Sequence, residues 1–171
     1  IEMLDLLSSA RNGDTLLISG KIDAGGQALT TAVNVHIQSA DDSAEICGLQ
    51  IENASVTFKD IQLSNMQVSG TSNILLSSGV RVYGSEGQRA LDFHGNGTLI
   101  VERGCYVLGG SESPGISISH SGGDFYSSIE GTVSGGDGKS GGAGMVVSPL
   151  GDAGAMMISG SIKGGSGDSL G

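Results

Sequence analysis

A glycine-bearing unit recurs along the C-terminal half of this 171-residue chain and constrains its fold more than any other feature. Its copies are Val82-Tyr83-Gly84, Val107-Leu108-Gly109-Gly110, Val133-Ser134-Gly135-Gly136 and Ile162-Lys163-Gly164-Gly165, spaced 25 to 29 residues apart. The first copy lacks the second glycine. Across a polar gap, each of the first three is followed by an alternating apolar stretch: Leu91 and Phe93, Ile116 and Ile118, Met145 and Val147. A fixed period with apolar positions in register predicts stacked turns, because one turn alone cannot bury its apolar side. Function in such a chain belongs to an outer face or a rim.

Composition agrees with many short strands. The chain has 31 Gly, 2 Pro and no Trp, yet 37% of its residues are apolar and alternate, which argues against disorder and assigns the glycines to turns. We read residues 1–171 as one domain, with residues 1–13 as an N-terminal cap and residues 14–171 as the turns.

Within the cap, Leu4, Leu7 and Ala10 fall on one helical stripe ahead of the stop signal Asn12-Gly13, which predicts a short amphipathic helix over residues 1–11. Farther on, Val33, Val35 and Ile37 alternate with an outer row of Asn34, His36 and Gln38. Parity then breaks at Lys59-Asp60, at Ser77-Ser78-Gly79 and at Glu102-Arg103-Gly104, each break reading as a corner within one turn. A sandwich of hairpins would need many two-residue turns, but such pairs are confined to Asn12-Gly13, Asn96-Gly97 and Asp137-Gly138. It would also leave the period unexplained. The expected fold is all-β: a parallel β-helix solenoid of about six to seven rungs, its first open edge covered by a short capping helix. No matching cap is expected over Gly164 to Gly171, so the chain reads as a fragment of a longer repeat protein with an end open to end-to-end association.

Cys47 and Cys105 fall in the second and fifth turns, three spacings of about 4.8 Å apart, or about 14 Å. A disulfide needs Cα atoms within about 7 Å. Cys105 shares parity with inward Val107 and reads as a small core side chain.

The opening helix followed by Asn12-Gly13-Asp14-Thr15-Leu16-Leu17-Ile18-Ser19-Gly20 resembles the cap and first rung of pectate-lyase-like right-handed β-helix proteins. Ile129-Glu130-Gly131-Thr132-Val133-Ser134-Gly135-Gly136 and Ile158-Ser159-Gly160-Ser161-Ile162-Lys163-Gly164-Gly165 are similar to glycine-rich repeats of large secreted or cell-surface bacterial proteins of adhesin type. The resemblance implies an extracellular or cell-surface location. It does not choose among lyases, hydrolases, adhesins and tailspikes, which share the fold.

Polygalacturonase-like members of the fold carry Asn-x-Asp, Asp-Asp, Gly-His-Gly and Arg-x-Lys for acid–base work. Here Asp41-Asp42 lies in a turn-like stretch, Phe93-His94-Gly95 lacks the glycine before His, and Arg-x-Lys is missing. Asp124, Asp137, Asp152 and Asp168 are scattered singly, and Gly164-Gly165-Ser166-Gly167-Asp168 misplaces the aspartate of a calcium-binding β-roll, leaving at most a weak structural Ca²⁺. His36, His94 and His120 show no ligand spacing, so no metal or other cofactor is expected. The serines sit in Gly-Ser turn contexts, where local backbone bonding is their ordinary role.

The outward positions beside the repeat valines are Arg81 and Tyr83, Tyr106 and Leu108, Thr132 and Ser134, then Ser161 and Lys163. Stacking would gather Arg81, Tyr83 and Tyr106 into an aromatic and cationic patch, with Glu102 nearby. Tyrosine and arginine commonly anchor sugars and protein partners. A net charge of −10 argues against nucleic acid and anionic membrane surfaces, and no apolar run is long enough to insert. The leading expectation is a non-catalytic adhesin-like stalk or display segment whose partner is a glycan or a host or surface protein. A carbohydrate-binding module at the Arg81–Tyr83–Tyr106 patch is the alternative, and a polysaccharide lyase or hydrolase the third.

Overall fold

Alternating apolar residues with a corner every few positions fold here as a coil of parallel strands. The computed structural model describes residues 5, 6, 8–148 and 153–167. The first turn comprises β1 (Thr15–Ile18), β2 (Lys21–Asp23) and β3 (Ala28–Leu29), and the second β4 (Asn34–Ser39), β5 (Glu45–Cys47) and β6 (Gln50–Glu52). β7 (Ser55–Lys59), β8 (Gln62–Ser64) and the opening half of β9 (Met66–Leu76) form the third. The rest of β9, β10 (Arg81–Tyr83) and the start of β11 (Leu91–Val101) form the fourth, and the remainder of β11, β12 (Tyr106–Leu108) and the start of β13 (Ile116–Ile129) the fifth. The sixth closes through β14 (Thr132–Ser134) and β15 (Met145–Val147), after which β16 (Gly154–Ile158) and β17 (Ser161–Lys163) begin another. The chain is thus an all-β parallel solenoid of about six turns.

Each turn has three faces. The second face is a 7-stranded sheet in the order β17-β14-β12-β10-β8-β5-β2. The first and third merge into one 10-stranded sheet because β9, β11 and β13 run unbroken through the corner between them. That corner is turned by Gly70, at φ 66°, and by a register shift between Gly95 and Gly97.

The repeat valines form the column expected of them. Ile46, Leu63, Val82, Val107 and Val133 pair in register and are buried, with Ile22 and Ile162 half-buried at the ends. On the first face Leu16, Ile37, Phe58, Leu76, Val101 and Ile129 stack likewise. On the third, Leu29, Ile51, Val68, Phe93 and Ile118 do so. Each fully buried aliphatic or aromatic side chain contributes about 1.5–3 kcal/mol, so the continuous columns dominate stability. Met145 and Val147 extend the third-face rows into the sixth turn, where no described third-face strand covers them and Val147 is 39% exposed.

The parity breaks are the corners between the first and second faces. Asp60 and Gly79 turn them at φ 48° and 77°, and Gly104 at 89°. The paired glycines of the repeat act differently from the turn residues the composition implied. Gly110 and Gly136 lie outside the left-handed region, but a Cβ on Gly110 would collide with the Ser85 carbonyl, and one on Gly136 with that of Gly110. Their role is close backbone approach between successive loops. Asn65 explains the missing glycine of the first copy: the corner before that loop is Asn65 alone, and its side chain bonds both Ser85 N and Ser85 Oγ at 2.7 Å.

Of the expected capping helix, Asp5, Leu6 and Ser8 are helical, whereas residues 1–4 and 7 lie outside the described residues. The expected run-out over residues 168–171 lies outside them too, as do Asp152 and Asp168. Cys105 is buried, Cys47 half-buried, and both are free. No helix among the described residues is long and apolar enough to cross a membrane.

Candidate functional site

Parallel pairing of β10 with β12 puts Arg81 beside Tyr106 and Tyr83 beside Leu108. Outward parity then sends Arg81, Tyr83 and Tyr106 to one surface while Val82 and Val107 face the core. The rings of Tyr83 and Tyr106 meet edge to face, with centroids 6.4 Å apart and planes inclined by 62°. Three of the four residues singled out from sequence therefore gather as expected.

Glu102 lies in the corner between β11 and β12. Its Oε2 accepts a hydrogen bond from Ser77 Oγ at 2.8 Å, holding together the corners of successive turns. Two further carboxylates stand beside the patch. Asp42 and Asp60, with Gly79, Gly104, Arg81 and Tyr106, line an open hollow of about 490 Å³. Asp42 and Asp60 adopt positive φ, of 61° and 48°, in the corners of the second and third turns. Gly79 and Gly104 follow at the corners of the next two turns and carry no side chain to fill the space. Arg81 is exposed and has no ion-pair partner among the described residues, where Lys21–Glu45 and Arg89–Asp92 are the pairs formed. The hollow thus offers an aromatic edge, an unpaired cation and two hydrogen-bond-accepting carboxylates on a rigid sheet. Its signal in the sequence was the corner alignment itself, in which acidic residues at two corners precede glycine at the next two.

Several other polar side chains bond the backbone. Asp41 accepts hydrogen bonds from Ser43 Oγ at 2.5 Å and Ser43 N at 3.1 Å, and these bonds hold its carboxyl below the ordinary range. Asp137 Oδ1 accepts from Ser166 N at 2.6 Å in the next loop, and Glu112 Oε1 from Ser140 N at 3.0 Å. His120 Nε2 rests on the Gly123 carbonyl, with its ring 5.9 Å from Phe125. His36 and His94 lie outward on the first and third faces. Among the described residues, no group of three or more His, Cys, Asp or Glu is arranged to hold a metal ion.

No protein-family model, curated protein or solved structure matches this chain.

Proposed function

We propose that this chain is a non-catalytic β-helix segment of a secreted or cell-surface bacterial protein, serving as a rigid stalk or display surface for adhesion. The observation that carries the reading is the unbroken stacking: buried columns on all three faces, with loops locked against one another at Gly110 and Gly136. A column of this kind resists bending and holds outward side chains at fixed spacing. The bacterial surface location rests on the resemblance of the glycine-rich repeats. Immobilised protein should retain a glycan, a mucin or a host-cell protein. Retention of none would remove the adhesive role and leave a spacer.

The hollow beside Tyr106 favours a second reading, a carbohydrate-binding patch formed by Arg81, Tyr83 and Tyr106 with Asp42 and Asp60. Tyrosine rings present apolar faces to sugar rings, and carboxylates and guanidinium bond their hydroxyls. The test of this reading is a glycan array probed with and without Ca²⁺, on which Tyr83→Ala and Tyr106→Ala should lose signal that the parent chain shows.

A further inference from the structure

The corner between the second and third faces changes length abruptly along the solenoid. It comprises Gly48 and Leu49 in the second turn and Asn65 alone in the third, but residues 84–90 in the fourth. Short corners leave the third face bare, and the long loop stands beside it as a wall. Two hollows of about 380 and 250 Å³ lie there, and both include Gln67 and Asp92.

Two outward rows floor this groove. Gln50, Gln67 and Asp92 pair in register through β6, β9 and β11, and Glu52, Ser69 and His94 form the parallel row. Gln50 Nε2 donates to Gln67 Oε1 at 3.4 Å, and Arg89 of the wall donates to Asp92 at 3.0 Å. From Ala28, which pairs with Gln50, to Asp92 is three turn spacings, about 14 Å. Beyond Asp92 the row continues through Ser117, which at 5% exposed offers the groove no further polar group.

We infer that this groove is a second binding site, separate from the tyrosine patch, and that it takes an extended neutral oligosaccharide lying along the solenoid axis. Amides, carboxylates, imidazole and guanidinium alternate here as donors and acceptors, which is the complement of a chain of hydroxyls, each able to donate once and accept twice. Apolar ligands find no anchor, because Met66, Ile51 and Val68 beneath the floor are each only 1% exposed. Polyanions are opposed by Glu52, by Asp92 and by the overall charge of −10. An added peptide strand is excluded because the backbone groups of the floor already pair with neighbouring turns.

The test is an NMR titration of the ¹⁵N-labelled chain with cellohexaose, mannohexaose, chitohexaose and an oligogalacturonate of equal length. At least one neutral hexaose should shift the amide resonances of Gln50, Gln67 and Asp92 saturably. Gln67→Ala and Asp92→Asn should each weaken that binding about tenfold, and Ser69→Trp, which fills the groove, should abolish it, whereas Tyr83→Ala should leave it unchanged. The absence of saturable shifts with all four probes overturns the inference, as do shifts confined to the tyrosine patch or tightest binding of the oligogalacturonate. The tyrosine variants report on the other site independently, so either reading can fail without the other.

Discussion

Gly110 lies so close to Ser85 of the preceding loop that any Cβ on it would overlap the Ser85 carbonyl oxygen, although its own φ is ordinary. Backbone rests on backbone at this point, and Gly136 repeats the arrangement on Gly110. Gly110→Ala and Gly136→Ala should each destabilise the fold by about 2–3 kcal/mol, through overpacking against main chain that cannot rotate away. Gly104, whose Cβ would meet open space, should tolerate Asn in its left-handed conformation with a loss below about 1 kcal/mol. Denaturant midpoints of the three variants would check the contrast.

Asn65 closes the bottom of the same loop stack. Asn65→Ala removes both of its bonds to Ser85 and should cost about 1–2 kcal/mol, while Ser85→Gly, which keeps the bond from the backbone N–H, should cost less. Thermal unfolding of the pair would rank them.

The tyrosine pair should matter little to stability and much to recognition. Edge-to-face contact is worth about 0.5–1.5 kcal/mol, so Tyr83→Ala or Tyr106→Ala should leave a folded chain. The same changes should reduce any glycan-array signal carried by that patch about tenfold or more. Unchanged binding would assign the ligand elsewhere.

Burial pushes the Cys105 thiol up to about 11 from its ordinary 9.0, and the charge of Glu102 adds to the shift. Its Sγ also donates to the carbonyls of Leu76 and Ser77, at 3.1 and 2.8 Å. The unfolded thiol ionises first on raising the pH, so the contribution of Cys105 is fully present below pH 9 and is lost as pH rises toward about 11. Denaturant titrations across that window should show a stability loss that Cys105→Ala lacks. A thiol reagent at pH 8 should modify half-buried Cys47 in the native chain and reach Cys105 only on unfolding.

Much of this architecture could be read directly from residue order. Alternation around Val82, Val107, Val133 and Ile162 fixes which side chains face inward, and the repeat spacing fixes which turns they join, because a strand has only two faces and each turn must cover the last. The same logic brought Arg81, Tyr83 and Tyr106 together. Glu102 lies in a corner, where parity no longer dictates direction and the bond to Ser77 sets the side chain.

What tertiary structure alone decided was everything made by one turn against another. Asp42 and Asp60 share a hollow because the glycines of the next two corners leave it empty, and the third-face groove exists because corners of one and two residues are followed by a loop of residues 84–90. The paired glycines likewise appear in sequence as turn residues, yet their cause is a neighbouring carbonyl 25 positions away, from Ser85 to Gly110. Periodicity determines each turn from its own residues. Hollows, walls and close backbone contacts arise from differences between turns, and those differences acquire a shape only when the turns are stacked.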